Sequence, residues 1–397
     1  METKSGFLAM EENSRTSIFV SQGNCVSPAG ATLAQNISAI RNNQSAISLI
    51  DDAKYHDASF YGAIVDAKLL KTWTDAYKIP ESFSKFEQLL LLALAPEVEK
   101  YRKYFDADCG FILSSTKGNI SDLSVNSTDY LLQNSAKKIA QEIGIQTEPI
   151  VLSNACVSGV MAISIAKRLI ASNSYRHVLI AAGDVFSSFV FSGFQSFHAV
   201  SSNPCKPYSK FRDGITLGEA AAAIFVSNDV EAIGETTFEI VGDSSINDAN
   251  HISGPSRTGE GLHLSIENAL NEAGLEAKDI DCISAHGTAT EYNDEMEAQA
   301  FFRSHLQQKP VFSLKGFFGH TLGAAGLLET LVTLGFAKNN LIPRSFGYDE
   351  NGLTILLNVV EETHSLPINC VLKTSSGFGG ANTAMVFKKC KTASHED

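Results

Sequence analysis

Short runs of apolar residues alternate along the chain with longer stretches in which apolar positions recur every three or four residues, the pattern of strands alternating with amphipathic helices. Ser17 to Ser21 is the first predicted strand, and the polar stretch Gly23 to Gly30 leads from it into a helix. Residues from Asp51 to Glu81 follow no clean period. A helix is expected from Lys85 to Ala95, ended by Pro96. A strand at Phe111 to Ser114 and a helix over Ser124 to Gly144, capped by its glycine, come next. Ile150 to Leu152 reads as a strand, Ser153-Asn154-Ala155 as a small turn, and a helical period opens at Cys156. Arg176 to Asp184 is almost uninterruptedly apolar, as in a strand of a parallel sheet buried on both faces. After a long polar connection from His198 to Glu219, Ala220 to Val226 resumes as a strand.

The same order then returns. A loop-like, acidic stretch from Ser227 to Glu235 divides the chain into an expected first half, residues 16–230, and a second, 231–397. Predicted elements of the second half are a strand at Thr237 to Val241, a helix at Gly259 to Ala273 closed by Gly274, a strand at Asp281 to Ala285 and a helix at Asp294 to His305. Pro310 to Lys315 then runs into a glycine-rich turn, Gly316 to Gly326, and a helix at Leu327 to Phe336. Cys370 to Ser375 and Thr383 to Phe387 are closing strands around a tight loop, Gly377 to Gly380. The alternation gives an α/β class built as a possible duplication.

Composition narrows the function. A length of 397 residues exceeds the usual limit of one hydrophobic core, in keeping with two packed halves. The longest apolar runs, Leu89 to Ala95 and Ala220 to Val226, are far too short to span a bilayer. Residues 1–15 read as a flexible lead; with Glu2, Glu11 and Glu12 they lack the basic start and apolar middle of a signal peptide, and the expected location is the cytoplasm. A net charge of −13 argues against nonspecific nucleic-acid binding. Seven scattered cysteines, at 25, 109, 156, 205, 282, 370 and 390, fit reduced thiols better than a disulfide framework.

One of those thiols is placed for chemistry. Cys156 stands where strand gives way to helix, and the free N–H groups and dipole of a helix start favour a thiolate, lowering its pKa from about 8.5. A small buried thiol packed as a hydrophobe is the alternative. Three more segments stand out: Ala285-His286-Gly287-Thr288-Ala289-Thr290, the run Ser313 to Gly326 with Lys315 and His320, and Gly377-Phe378-Gly379-Gly380-Ala381-Asn382. Taken singly, His286 is a loop histidine satisfied by backbone bonds and His320 packs in a glycine turn. A zinc site of Cys156, His286 and His320 lacks any local pair with metal-ligand spacing, so no metal is expected. The glycines of 316–326 match neither phosphate-binding pattern and are expected to let a helix pack closely on a strand.

Together with Lys206-Pro207-Tyr208-Ser209-Lys210-Phe211-Arg212-Asp213-Gly214 and Gly218-Glu219, these segments resemble the β-ketoacyl-acyl carrier protein synthases of the thiolase-like superfamily, over about Ser17 to Phe387. The resemblance is to the elongating kind, with one cysteine and two histidines. It implies a layered αβαβα arrangement with mixed five-stranded sheets, and a decarboxylative Claisen condensation that lengthens a fatty acid, polyene or polyketide chain by two carbons. Cys156 is then the nucleophile, and His286 and His320 donate N–H groups to an enolate oxygen. Lys315 keeps both rings neutral and Glu297 holds the lysine. The oxyanion hole falls to the backbone amides of Cys156 and Phe378, pantetheine contacts to Thr288 and Thr290, and the gating of an acyl pocket to Phe194 and Phe378. No tightly bound cofactor is implied, only the phosphopantetheine arm of an acyl carrier protein. The implied assembly is a homodimer, or a heterodimer with a related subunit.

Departures from the family pattern bear on the pathway. Asn154-Ala155-Cys156-Val157-Ser158-Gly159 stands where many relatives read Thr-Ala-Cys-Ala-Thr-Gly, Ser376 replaces a phenylalanine, and His198 an arginine near the carrier-docking surface. A specialised role is therefore as open as housekeeping fatty-acid synthesis. A noncatalytic, chain-length-determining partner is the alternative, and the presence of Cys156 with both histidines disfavours it. Cys370 and Cys390 do not lie in a thiolase-type second-cysteine motif.

Overall fold

A computed structural model describes residues 16–123, 128–234, 238–249 and 254–390. The lead 1–15, residues 124–127 at the start of the helix expected from Ser124, and Glu235 and Thr237 at the boundary lie outside the described residues; residues 128–131 are not helical, and that helix begins at Leu132.

The first half opens with β1 (Phe19–Val20), β2 (Asn24–Val26) and α1 (Leu33–Arg41). A small sheet takes β3 (Ser48–Ile50) and β4 (Phe60–Ala63), and is completed far along the chain by β8 (Leu217–Gly218). Then come α2 (Ala67–Tyr77), α3 (Lys85–Tyr101), β5 (Cys109–Ser114), α4 (Leu132–Ile143), β6 (Ile150–Leu152), α5 (Ser158–Ala171), β7 (His177–Asp184), α6 (Ser188–Ser196) and β9 (Ala220–Ser227). The single-turn α7 (Val230–Ile233) leads into the second half: β10 (Phe238–Asn247), α8 (Glu260–Ala273), β11 (Cys282–Ser284), α9 (Glu291–Arg303), β12 (Val311–Phe312), α10 (Lys315–Phe318) and α11 (Ala325–Lys338). A minor hairpin of β13 (Leu341–Ile342) and β14 (His364–Ser365) precedes β15 (Cys370–Gly377) and β16 (Ala381–Lys389).

The five-stranded arms of the expected fold are present, and β1 joins them. It pairs antiparallel with β9 on one side and β10 on the other, so the order β12-β11-β15-β16-β10-β1-β9-β7-β5-β6 is one mixed, eleven-stranded sheet with β2 alongside β9. Helices α5 and α11 fill the space between the arms, α3 and α4 cover the outer face of the first, and α8 and α9 that of the second. Strand β9 shows why both faces had to be apolar. Ala220, Ala222, Ile224 and Val226 point into the central helix layer, and Ala221, Ala223 and Phe225 into the outer one.

Some sequence expectations are corrected. Pro96 does not end its helix: α3 continues to Tyr101. The carbonyl of Leu92, which the missing proline N–H leaves without its helical donor, accepts instead from Nδ2 of the buried Asn24 at 3.4 Å, as does the neighbouring carbonyl of Ala93. The irregular stretch 51–81 contains β4 and α2, the latter capped by Asp66, whose side chain accepts from the amides of Lys68 and Leu69. Within the run 316–326, Gly326 brings α11 onto α5, helix onto helix, whereas Gly319 packs against the backbone of Thr216 and Leu217 at β8 and Gly323 against Asp184 at the end of β7. A side-chain carbon at Gly326 would lie 2.7 Å from Val160 Cγ2, and one at Gly159 would lie 2.6 Å from the Leu327 amide nitrogen.

Candidate active site

Cys156 and His286 are delivered by strand ends, and His320 by the turn that follows α10. Cys156 follows β6, past Ala155 in the left-handed region at φ 42°, and α5 begins two residues later at Ser158. The turn is closed by the Ser158 hydroxyl, which donates to the Ala155 carbonyl at 2.6 Å and accepts from the Asn154 amide at 2.8 Å. Gly377 lies against it, where a Cβ would come 3.1 Å from the Cys156 nitrogen. His286 follows β11, and its own amide and that of Gly287 donate to the two oxygens of Glu297 at 2.8 and 2.6 Å. His320 lies between Gly319 at φ 66° and Leu322 at φ 53°, its amide bonded to the Thr216 carbonyl at 2.6 Å.

These loops converge. His320 Nε2 is 3.1 Å from Cys156 Sγ, the two imidazole centroids are 5.2 Å apart with rings nearly perpendicular at 84°, and one ligand atom from each of the three residues falls within a 4.8 Å cluster. All three are buried at the end of a cavity of about 460 Å³.

Hydrogen bonding selects the tautomers. Nδ1 of His320 faces the donating amide of Leu322 at 3.3 Å, and Nδ1 of His286 faces the ammonium of Lys315 at 3.2 Å. Both Nδ1 atoms must therefore accept, which puts the ring proton of each histidine on Nε2. Burial, and after it the charge of Lys315, holds both imidazoles well below their ordinary pKa, so both are neutral N–H donors. The same arrangement opposes zinc. A metal on Nε2 would turn each Nδ1 into an N–H aimed at another donor, whereas zinc-bound histidines need an acceptor there.

The sequence expectation of a low thiol pKa is overturned. Burial pushes Cys156 up to about 12; Lys315 is the largest opposing influence, and the carboxylates Asp184 and Glu329 add to the rise. Burial thus favours the thiol over the thiolate.

The expected link between Glu297 and Lys315 is also corrected. Lys315 Nζ bonds Glu329 Oε1 at 2.6 Å, along with the His286 carbonyl at 2.7 Å. Glu297 instead accepts from the His286–Gly287 backbone, Asn293 and the Tyr208 hydroxyl, fixing the loop rather than the lysine. Glu329 was legible as the lone acid in the apolar run of α11. Its other oxygen holds Lys373, a second buried lysine that sequence reasoning also missed.

The outer residues line the same cavity. Thr288 and Thr290 share a hydroxyl contact of 2.9 Å, and Thr290, although it is the N-cap of α9, does not spend its side chain on the cap. The Phe194 and Phe378 rings are 5.5 Å apart, and Phe378 is 38% exposed at the rim. His198 lines it as well and is exposed.

Comparison with known proteins agrees with this geometry. Residues 106–232 match the beta-ketoacyl synthase N-terminal domain and residues 237–349 its C-terminal domain, together more than half of the chain. The chain is similar to 3-oxoacyl-acyl-carrier-protein synthase 2 of Coxiella burnetii, with 33% identity over 250 residues, 59% of this chain and 60% of that protein. The same-named protein of Staphylococcus aureus is 30% identical over 248 residues, again 59% and 60%. The match thus spans about three fifths of these curated relatives' length. Among solved structures, a ketosynthase in complex with its chain length factor from Xenorhabdus doucetiae superposes with a TM-score of 0.81 at 23% identity, covering 96% of this chain and 100% of that one. A beta-ketoacyl synthase from Burkholderia phymatum gives 0.82 at 24%, covering 95% and 100%, and likenesses at these identities establish the thiolase-like fold. With both domain models matched in order and its cysteine and two histidines gathered in one cavity, the chain belongs to the β-ketoacyl synthase family.

Proposed function

We propose that the protein is a β-ketoacyl-acyl carrier protein synthase that extends an acyl chain by decarboxylative Claisen condensation. The observation that carries this reading is the convergence of one sulfur and two imidazoles, each placed to be a neutral donor, on one cavity. The Cys156 sulfur attacks an acyl thioester and its proton leaves on the carrier thiol, so the first half-reaction is a thioester exchange. A malonyl thioester then loses carbon dioxide; the electrons of the broken C–C bond pass to the thioester oxygen, between the donors of His286 and His320. The enolate carbon attacks the acyl carbonyl, whose oxyanion is met by the backbone amides of Cys156 and Phe378, and the sulfur leaves, regaining a proton.

Neutral donors suit this work, because they stabilise the enolate oxygen without transferring a proton that would quench the nucleophilic carbon. Thr288 and Thr290 hold the amides of the phosphopantetheine arm, and Phe194 and Phe378 gate the acyl end; an acyl carrier protein is the partner that supplies the arm. A second copy, or a related subunit, pairs along β6, which lies at the end of the sheet with no further strand beside it among the described residues. With Ser376 in place of a bulkier ring, a polyene or polyketide chain is accommodated as readily as a fatty acid.

Purified protein with acyl- and malonyl-carrier proteins is expected to release carbon dioxide and form the β-ketoacyl thioester. Cys156→Ala is expected to lower condensation by about a thousandfold or more and to abolish the acyl-enzyme seen by mass spectrometry. Absence of product with carriers of every chain length tried would favour the noncatalytic, chain-length-determining alternative.

A further inference from the structure

Behind His286, on the side away from the cavity, the chain buries more positive charge than the histidines require. Lys315 and Lys373 are each 1% exposed, and Glu329 between them is 3% exposed. Glu329 gives one oxygen to each ammonium, Oε1 to Lys315 at 2.6 Å and Oε2 to Lys373 at 2.7 Å. Lys315 spends its remaining protons on His286, on the carbonyl at 2.7 Å and on Nδ1 at 3.2 Å. Lys373 spends its own on the carbonyls of Ser284 at 3.3 Å and Thr374 at 2.9 Å.

A lysine and a glutamate alone would already be neutral, so the second ammonium is not needed to balance Glu329. Burying it is unfavourable, and burial does depress its pKa. What it adds is position. Without Lys373 one oxygen of Glu329 has no cation and the carboxylate is free to turn; with it, both oxygens are committed and Lys315 is held on Nδ1 of the imidazole.

We propose that Lys373 is a positioning residue for the decarboxylation step: by locking Glu329 it keeps Lys315 on His286 Nδ1, and so keeps the Nε2–H of that ring aimed at the reacting oxygen. This rests on the condensing reading above. The charged and titratable groups around His286 come from every neighbouring element: Cys156 before α5, Tyr208, Asp294 and Glu297 on α9, Lys315 on α10, His320, Glu329 on α11 and Lys373 on β15. Of these, Lys315, His320 and Lys373 all disfavour the imidazolium.

A purely structural tie between β11 and β15 would slow every step alike, and the test separates the two. Carbon dioxide release from malonyl-carrier protein and acyl loading of Cys156 are measured against pH in wild type, Lys373→Ala and Lys373→Gln. Removing a cation raises the His286 pKa toward its ordinary value of about 6.5, so protonation sets in from the acid side. Wild type is expected to hold its rate of carbon dioxide release between about pH 7.5 and about pH 5.5, while both variants fall progressively below it toward the acid end, by no more than about tenfold because burial still opposes the imidazolium, and load Cys156 within about twofold of wild type. Ammonium chloride is expected to restore the alanine variant, whose vacated space is lined by three oxygens, more than tetramethylammonium does at equal ionic strength, and to leave the glutamine variant unchanged. If the alanine variant does not fold, the glutamine variant carries the pH comparison. A loss equal at every pH and shared by Cys156 loading overturns the proposal, as does a wild-type profile in both variants. No carbon dioxide from wild type would instead sink the condensing reading itself.

Discussion

Burial sets the protonation state of each reactive group in the cavity. Burial holds Cys156 toward the thiol, and the largest opposing charge, Lys315, is already engaged by Glu329 and His286. Alkylation by iodoacetamide tests this directly. With a thiol held near 12, the rate is expected to climb tenfold per pH unit from about pH 7 to beyond about pH 9 without levelling off. A plateau below about pH 8 would mean a stabilised thiolate. At this scale the sequence was informative where a residue carried a local mark: Cys156 at a strand-to-helix turn, His286 before glycine, Lys315 and His320 in a glycine-rich run. It misassigned the partner of Lys315 because only packing distinguishes a carboxylate that faces two backbone amides from one that faces two ammoniums. Lys373 carried no mark at all, since a lysine in a strand reads as a solvated position.

At the scale of elements, periodicity located the strands that are buried on both faces and the helices with a clean apolar stripe. It failed where one side chain from elsewhere decides the outcome. Pro96 is a helix breaker in isolation, and α3 continues through it because Asn24 supplies the missing donor. The same side chain accepts from the Leu33 amide at 2.9 Å, so Asn24→Ala leaves buried groups unpaired at two places. Asn24→Ala is expected to destabilise the fold by about 2 kcal/mol, read from denaturant midpoints. Pairing it with Pro96→Ala, which restores a helical N–H for the Leu92 carbonyl, is expected to recover part of that loss; strictly additive effects would refute the link. The helix α2 was missed for a related reason: its apolar face is narrow, with only Leu70 and Thr74 buried, so its period is hard to tell from a loop.

For the whole molecule, the α/β class and the repeat of strand, turn and helix were legible, because each half shows the same order of apolar runs. How the halves meet was not, since it depends on hydrogen-bond directions rather than on side-chain pattern. The edge of β6, beyond which no strand pairs among the described residues, is set by the same directions. Ser115 donates to the Leu152 carbonyl, so Leu152 faces β5 and the backbone of Val151 alternates to the outer side. Val151→Pro therefore removes a donor only from the open edge, and is expected to shift the protein from dimer to monomer in light scattering while leaving the protomer folded. An unchanged molar mass would place the interface elsewhere.

The double pairing of β1 has a consequence for the path by which this chain folds. Phe19 and Val20 meet Ser227 and Val226 on one flank and Glu239 and Phe238 on the other, both more than two hundred residues further along than β1. The seam between the arms is thus among the most nonlocal contacts in the molecule, and closing a loop of that length before any reward arrives makes for slow acquisition of the native state. Until β10 is in place, β1 presents bare backbone along the seam, so nascent or refolding chains are most exposed to mispairing there, and chaperone dependence should trace to that seam rather than to the catalytic loops.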